Sequence, residues 1–307
     1  MRKPKVMISK CLNSEKCRYD GQGFDDKVIR SIREYIDIET VCPEVEIGLA
    51  TPRDPIRIEK HENDLKLIQH NSNIDYSNEM YEFAEEFIKK VDDLDGFILK
   101  SKSPSCGIKD VKIYPKGQKC SISKNGNGFF AQKLIEKDFK ILIENEGRLK
   151  NYILREEFLT KIFTLNRLKD CNDIKKFHEN NKMLLKSYDS NSVEVLENLI
   201  NNEKTHDLYI NKVKEILNNK RSKTNKADII KDVFNRYKNK LNKEELSYND
   251  ELVDLYINEK IPFSSLLVAI KIYALRFNDA ELIKQTFFNP YPQKLVNIMD
   301  SGKGREL

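Results

Sequence analysis

Lys5-Val6-Met7-Ile8-Ser9-Lys10-Cys11 is a short apolar run that closes on a cysteine. A few apolar residues between polar neighbours are too short for an ordinary helix and read as a buried strand. Two further runs end the same way. A strand around Ile38–Cys42 leads into Val41-Cys42-Pro43-Glu44, and Phe97-Ile98-Leu99 is followed by Ser103-Pro104-Ser105-Cys106-Gly107. In an open parallel sheet the carboxyl ends of the strands share one edge, where ligands bind. Three thiols distant in sequence are then brought to one place. Three thiolates can hold an iron–sulfur cluster or a zinc ion with one coordination position open, which is what catalysis requires. Buried apolar cysteines are the competing reading.

The signals around these runs alternate. Residues 25–36, 77–91 and 126–137 carry apolar side chains at helical spacing, and Phe139–Ile143 reads as a further strand. Strands interleaved with helices give an α/β N-terminal domain with a parallel sheet, three-layered and Rossmann-like. From Tyr152 the pattern is helical throughout, over about 152–169, 172–187, 191–202, 205–218, 226–241, 249–259 and 262–277. Expected N-caps are Asp189 or Ser190, Thr205, and Asn249 or Asp250, with Pro262 in a first turn. The change of character at Glu146-Gly147-Arg148-Leu149 divides the chain into an α/β domain, 1–148, and an all-α domain, 149–307.

Composition narrows the class. With 39% hydrophobic and 34% charged residues the 307-residue chain is globular and not disordered. No apolar run approaches the roughly 20 residues of a membrane span. The apolar segment after Met1-Arg2-Lys3-Pro4 is too short for a signal peptide, so a cytoplasmic location is expected. The six cysteines contain no C-x-x-C pair and do not form a disulfide framework. Net charge is only +5, but residues 211–243 hold 11 basic and 3 acidic residues. Such a block is usually a solvated face.

The motifs together resemble the thiouracil desulfidase (TudS) family over residues 1–146. The matching segments are Cys11-Leu12 with Cys17-Arg18-Tyr19-Asp20-Gly21, Cys42-Pro43-Glu44-Val45 with Gly48-Leu49 and Thr51-Pro52-Arg53, Lys100 to Gly107, and Gly126 to Ala131. Residues 147–307 resemble the YbgA-like domain found behind that desulfidase, through Glu146 to Leu149, Phe177-His178 with Lys182, Ile261-Pro262-Phe263 and Gln285 to Pro292. The fused form is similar to enzymes that remove sulfur from 4-thiouridine in tRNA. Three departures stand out: Ser14 replaces a usual glycine, Ile47 replaces the first glycine of Gly-Gly-Leu, and Tyr188 replaces a histidine.

The resemblance implies a [4Fe-4S] cluster on Cys11, Cys42 and Cys106, with the fourth iron free for the substrate's sulfur. It implies Glu44 as the base that activates water, with Ser103 positioning substrate or relaying a proton. Arg18, Asp20 and Ser105 are candidates for substrate contact, though Arg18 and Asp20 can instead brace their loop and Ser105 can cap a turn. Arg53 meets either a phosphate or a carboxylate. Cys17 is a ligand or a buried thiol, and Cys120 and Cys171 are incidental. The Gly126-Asn127-Gly128 turn either receives a phosphate or joins two elements. His178 and Lys182 share a helix face and are read as packing. With tRNA as the implied partner, Lys220, Arg221, Lys223, Lys226, Lys231, Arg236, Lys238 and Lys240 become candidates for phosphate contact. No nucleotide cofactor and no membrane partner are expected. The alternatives are a desulfidase of free thiouracil-type bases, a non-catalytic iron–sulfur sensor, and a zinc-stabilised RNA-binding protein.

Overall fold

The computed structural model describes residues 2–62, 64–91, 93–137, 142–200 and 205–298. It has two compact units. One runs up to Asn166 and resumes at Pro292; the other is Arg167–Tyr291. The first unit is built from β1 (Lys5–Ser9), α1 (Lys27–Ile32), β2 (Asp37–Val41), α2 (Pro43–Glu46), β3 (Ile56–His61), β4 (Asp64–Gln69) and β5 (Ile74–Asp75). After these come α3 (Ser77–Lys90), β6 (Gly96–Leu99), β7 (Val111–Pro115), β8 (Ser123–Gly126), α4 (Phe129–Glu136), β9 (Ile143–Asn145) and α5 (Tyr152–Lys169). Of the strand expected over 139–143, residues 139–141 lie outside the described residues.

The expected parallel sheet is present, in the order β2-β1-β6-β9 with every neighbouring pair parallel. The chain passes from β1 to β2 on one side and later to β6 on the other. This reversal about β1 opens a crevice at the strands' carboxyl ends. The two sheet faces are both covered, which is why the strands read as continuous apolar runs. Met7, Val41, Phe97, Leu99 and Ile143 join a core that also takes Met80 and Ala84 of α3 and Phe130 and Leu134 of α4. On the other face Gly96 lies beside α5. A Cβ there would stand 2.9 Å from Ile162 Cγ2 and 3.2 Å from Phe158 Cζ. The helix that opens the all-helical sequence pattern therefore starts within the α/β unit. That is why the compact units divide near residue 166 while the composition changes near 148.

A second sheet, β5-β4-β3-β7-β8, is mixed, with only β3 and β7 parallel. The sequence reading did not anticipate it. Its inward residues Ile56, Ile58 and Leu67 complete the same core. Arg57 and Glu59 alternate with Ile56 and Ile58 along β3. Glu59 is buried at 3% exposure and engaged by Arg57 and His61.

The second unit is helical: α6 (Ile174–Tyr188), α7 (Ser190–Ile200), α8 (His206–Asn218), α9 (Lys223–Arg236), α10 (Lys243–Ile257), α11 (Phe263–Arg276) and α12 (Ala280–Ile283). Asp189 accepts from the Asn191 and Ser192 amides at the start of α7, and Thr205 is the N-cap of α8. The expected cap at Asn249 or Asp250 is corrected. α10 begins at Lys243. Its cap is Asn242, seven residues before Asn249, and Asn242 forms a reciprocal capping box with Glu245. Asn249 is instead buried in mid-helix and accepts from the Tyr273 hydroxyl at 3.1 Å. Pro262 is at the N-cap of α11, not inside its first turn. Among the described residues no helix is long and apolar enough to cross a membrane.

Two of the sequence departures have a backbone explanation. Ser14 has φ +69°, a left-handed conformation that glycine adopts without strain. Ile47 has φ −83°, so no glycine is required there, while Gly48 beside it, at φ +88°, needs one. Gly128 matters for a different reason. A Cβ on it would lie 2.4 Å from the Ser105 carbonyl carbon and 2.7 Å from the Cys106 amide nitrogen. The turn bearing Cys106 is thus pressed directly on the backbone entering α4. Gly128→Ala is expected to destabilise the protein by about 1–3 kcal/mol through overpacking. A lowered urea midpoint at unchanged m-value checks this, and an unchanged midpoint contradicts it.

Candidate functional site

The crevice at the sheet edge contains a cavity of about 290 Å³. Cys11, Cys17, Cys42 and Cys106 all line it. Cys11 lies in the single 3-10 turn after β1, Cys42 is the N-cap residue of α2 directly after β2, and Cys106 lies in the turn after β6. Because β2, β1 and β6 are adjacent and parallel, their last residues converge. This is the strand-end gathering expected from the sequence.

Local chemistry fixes each thiol. Pro43 suits the first turn of α2, where its missing N–H costs nothing. Around Cys106, the Ser103 hydroxyl oxygen accepts from the Ser105 amide at 3.2 Å and the Cys106 amide at 3.1 Å, and the Ser103 carbonyl accepts from the Gly107 amide at 2.8 Å. Ser103 therefore shapes the turn as well as lining the cavity. The Ser9 hydroxyl accepts from the Lys100 amide at 2.9 Å, tying the end of β1 to the end of β6. The amides of Gly128, Phe129 and Ala131 at the start of α4 donate to the carbonyls of Gly107, Pro104 and Ser105. They are engaged by the Cys106 turn, so the Gly126-Asn127-Gly128 segment serves as a structural connection.

The thiols influence one another. Cys17 is pushed up to about 11, first by its hydrogen bond with Cys11 and then by its surroundings. Cys42 is raised strongly, first by its contact with Cys17 and then by burial. Cys106 is pushed up to about 12, chiefly by burial. Neutral thiols are favoured until a cation compensates their charge, so metal binding here releases protons. Among the described residues no three His, Cys, Asp or Glu side chains are gathered into a cage for one metal ion. The four sulfurs all lie in the lining of one cavity.

Glu44 also lines the cavity, with its side chain 13% exposed. Its Oε2 accepts from Arg53 Nε at 2.9 Å and from a terminal guanidinium nitrogen at 2.7 Å. Its Oε1 accepts from the Ser105 hydroxyl at 2.9 Å. Arg53 therefore meets a carboxylate, and its other terminal nitrogen donates to the carbonyls of Cys17 and Ala50 and to Thr51 Oγ1, each at 3.1 Å. Ser105 is fully buried and outside the cavity lining, so its contact is with Glu44. Arg18 lines the cavity with Tyr19, whose ring it overlies at 5.6 Å. Asp20 is outside the lining and pairs with Arg18 at 3.3 Å, which is the bracing arrangement.

Lys10, Lys100 and Lys102 line the cavity and carried no role in the sequence reading. Lys10 and Lys100 each directly follow a cavity strand, which is the signal that was there to find. Lys100 is held against the buried Glu146 and beside Ser101 Oγ, and Ser101 donates to Glu146 through its amide at 2.7 Å and its hydroxyl at 2.6 Å.

In the helical unit much of the basic block is already engaged. Lys223 pairs with Glu259, and Arg236 with Asp279 and Glu281. Arg221, Lys226 and Lys240 rest over the rings of Tyr188, Phe263 and Phe277. Lys231, Lys238 and Lys220 are exposed. His178 is buried with Nδ1 3.2 Å from the Tyr209 hydroxyl, and Lys182 pairs with Glu197.

Residues 6–146 match the family model described as 2-thiouracil desulfurase, and residues 182–292 match a family described as a protein of unknown function, DUF1722. The chain is 29% identical over 148 residues to the uncharacterized protein YbbK of Bacillus subtilis (strain 168), covering 46% of this chain and 96% of YbbK. It is similar, at 25% identity, to the solved structure of a [4Fe-4S]-dependent thiouracil desulfidase, TudS, covering 48% of this chain and 93% of that one with a TM-score of 0.38.

The raised thiols predict a reactivity order. At pH 8 Cys17 and Cys106 stay protonated, and only thiolates react. Iodoacetamide added to metal-free protein is expected to label the exposed Cys120 well before either of them. Peptide mass spectrometry checks the order; equal labelling contradicts it.

Proposed function

We propose that this chain, whose residues 6–146 match the 2-thiouracil desulfurase family model, is an iron–sulfur desulfidase that converts 4-thiouridine in tRNA to uridine and hydrosulfide. The observation that carries this reading is the set of cysteine sulfurs around one cavity with an anchored carboxylate in its wall. Soft sulfur donors suit iron, and thiolate sulfurs are the ligands that hold iron–sulfur clusters. Cys11, Cys42 and Cys106, one from each of three adjacent strand ends, would hold a [4Fe-4S] cluster. When bound, that cluster supplies a soft Lewis-acidic iron for a thiocarbonyl sulfur.

The chain's own residues do the rest. Glu44 takes a proton from the water whose oxygen adds to the ring carbon. The added hydroxyl's remaining proton passes to the sulfur as the carbon–oxygen double bond forms and the carbon–sulfur bond breaks. Sulfur thus departs as hydrosulfide, and Glu44 returns its proton to solvent. Carbon keeps its oxidation state, so no electron donor is needed. Arg53 and Ser105 hold the carboxylate in place while it gains the proton. Ser103 and Arg18 face the bound ring from the cavity wall, and Lys102 adds positive charge beside an anionic leaving group.

The RNA substrate is supported by the helical unit and its exposed basic residues. Lys231 and Lys238, both exposed, are the principal phosphate contacts in this reading, with the exposed Lys220 beside them. Arg221, Lys226 and Lys240 lie over aromatic rings and can join them, whereas Lys223 and Arg236 are paired with carboxylates. Free thiouracil-type bases are the second reading, since a cavity of about 290 Å³ admits a single pyrimidine ring with or without its RNA.

Anaerobically purified protein is expected to contain iron and acid-labile sulfide and to turn 4-thiouridine to uridine in tRNA, by nucleoside analysis, faster than it turns over free thiouracil. Glu44→Gln is isosteric, and its amide can still accept from Arg53 and donate to Ser105 Oγ. It should keep its iron and lose activity by about 10²–10⁴-fold, the usual contribution of a general base. Stoichiometric zinc without sulfide, or a fully active Glu44→Gln, would overturn the reading. Raising salt should weaken tRNA turnover steeply, because phosphate contacts release counterions, and leave turnover of the free base unchanged.

A further inference from the structure

We infer that Arg53 is the positioning residue of this site: one buried guanidinium sets the direction of the Glu44 carboxylate and joins it to the loop of the first cysteine. The inference rests on the desulfidase reading above. Arg53 has only 4% of its side chain exposed. Its donors are divided between two tasks. Nε and one terminal nitrogen converge on Glu44 Oε2. The other terminal nitrogen is shared by the carbonyls of Cys17 and Ala50 and by Thr51 Oγ1. The Arg53 amide also donates to the Tyr19 carbonyl at 2.9 Å, so the backbone at this position grips the same loop.

The consequence is geometric. A carboxylate on a four-residue helix has free torsions and would sample several directions. Here Oε2 is taken by Arg53 and Oε1 by Ser105. A second lone pair on Oε1 remains to meet a water, in one direction only. A lysine cannot reproduce this. Its single ammonium lacks the planar fork that reaches Glu44 and the Cys17 carbonyl together. Arg53 touches neither the reacting carbon nor the departing sulfur in this scheme, so its effect falls on the catalytic step and not on ground-state binding.

The test uses the anaerobic holoenzyme and its Arg53→Ala and Arg53→Lys variants, with iron and acid-labile sulfide measured beside steady-state kinetics on thiolated substrate. Arg53→Ala is expected to keep its iron, lose about 100-fold in kcat and shift KM by less than about threefold, the pattern of a group that acts only in the transition state. Added guanidinium ion should recover part of the lost kcat in Arg53→Ala and none in Arg53→Lys, whose ammonium already fills the space. Arg53→Lys should be iron-replete and impaired by about tenfold or more. Wild-type kcat in an iron-replete variant overturns the inference. So does loss of iron in parallel with activity and without guanidinium rescue, which would mark Arg53 as structural. Should Arg53→Ala not fold, an iron-replete Arg53→Lys with full kcat overturns it alone. A wild-type protein with no desulfidase activity defeats the parent reading instead, which keeps the two failures apart.

Discussion

The Glu44 carboxylate is the interaction on which the candidate site depends. It is two residues beyond Cys42, it accepts from Arg53, which also holds the Cys17 carbonyl, and it accepts from Ser105, the neighbour of Cys106. A single carboxylate thereby links the loops of the cysteines that come from three separate strands. The pair with Arg53 is largely buried, and breaking such a pair from one side costs about 3–5 kcal/mol, because the remaining charge is left without a partner. An amide at position 44 preserves the links; an alkyl group does not.

The sheet makes this linkage possible. β1 stands between β2 and β6, so the chain reverses direction of winding about it and leaves a crevice where three strand ends meet. The face coverage is equally important. Met7, Phe97 and Leu99 are buried beneath α3 and α4, and Gly96 leaves room for α5 on the other side. With both faces closed, the polar and thiol groups are confined to the edge. The close approach of Gly128 to the Ser105–Cys106 backbone then seats the third cysteine turn on α4.

Much of this was legible in the sequence, because it follows from short-range pattern. Three apolar runs ending near cysteine gave strands, and their parallel pairing gave one edge. The helices from Tyr152 were legible from apolar spacing. What escaped notice depends on partners far away or on charge. The second sheet was missed although Ile56-Arg57-Ile58-Glu59 alternates as a strand does, because only two apolar residues mark β3 and its polar positions, Arg57 and Glu59, are satisfied by each other. The start of α10 was missed because Asn242 and Glu245 form their capping box ahead of the apolar periodicity. Arg53 gave no sign that Glu44, nine residues earlier, was its partner, since neither helical nor strand spacing relates them. The compact-unit division near Asn166 was equally invisible, because α5 has the composition of the second unit and begins packed on the first.

The central claim is that three strand-end cysteines hold an iron–sulfur cluster in front of an oriented carboxylate. Diffraction from anaerobically grown crystals, measured on both sides of the iron absorption edge, tests it most directly. The account predicts iron anomalous density inside the cavity, bonded to the sulfurs of Cys11, Cys42 and Cys106 and not to Cys17, with one iron facing the side of Glu44. Density for a lone metal ion, or a cluster whose ligand set excludes any of those three cysteines, would contradict it.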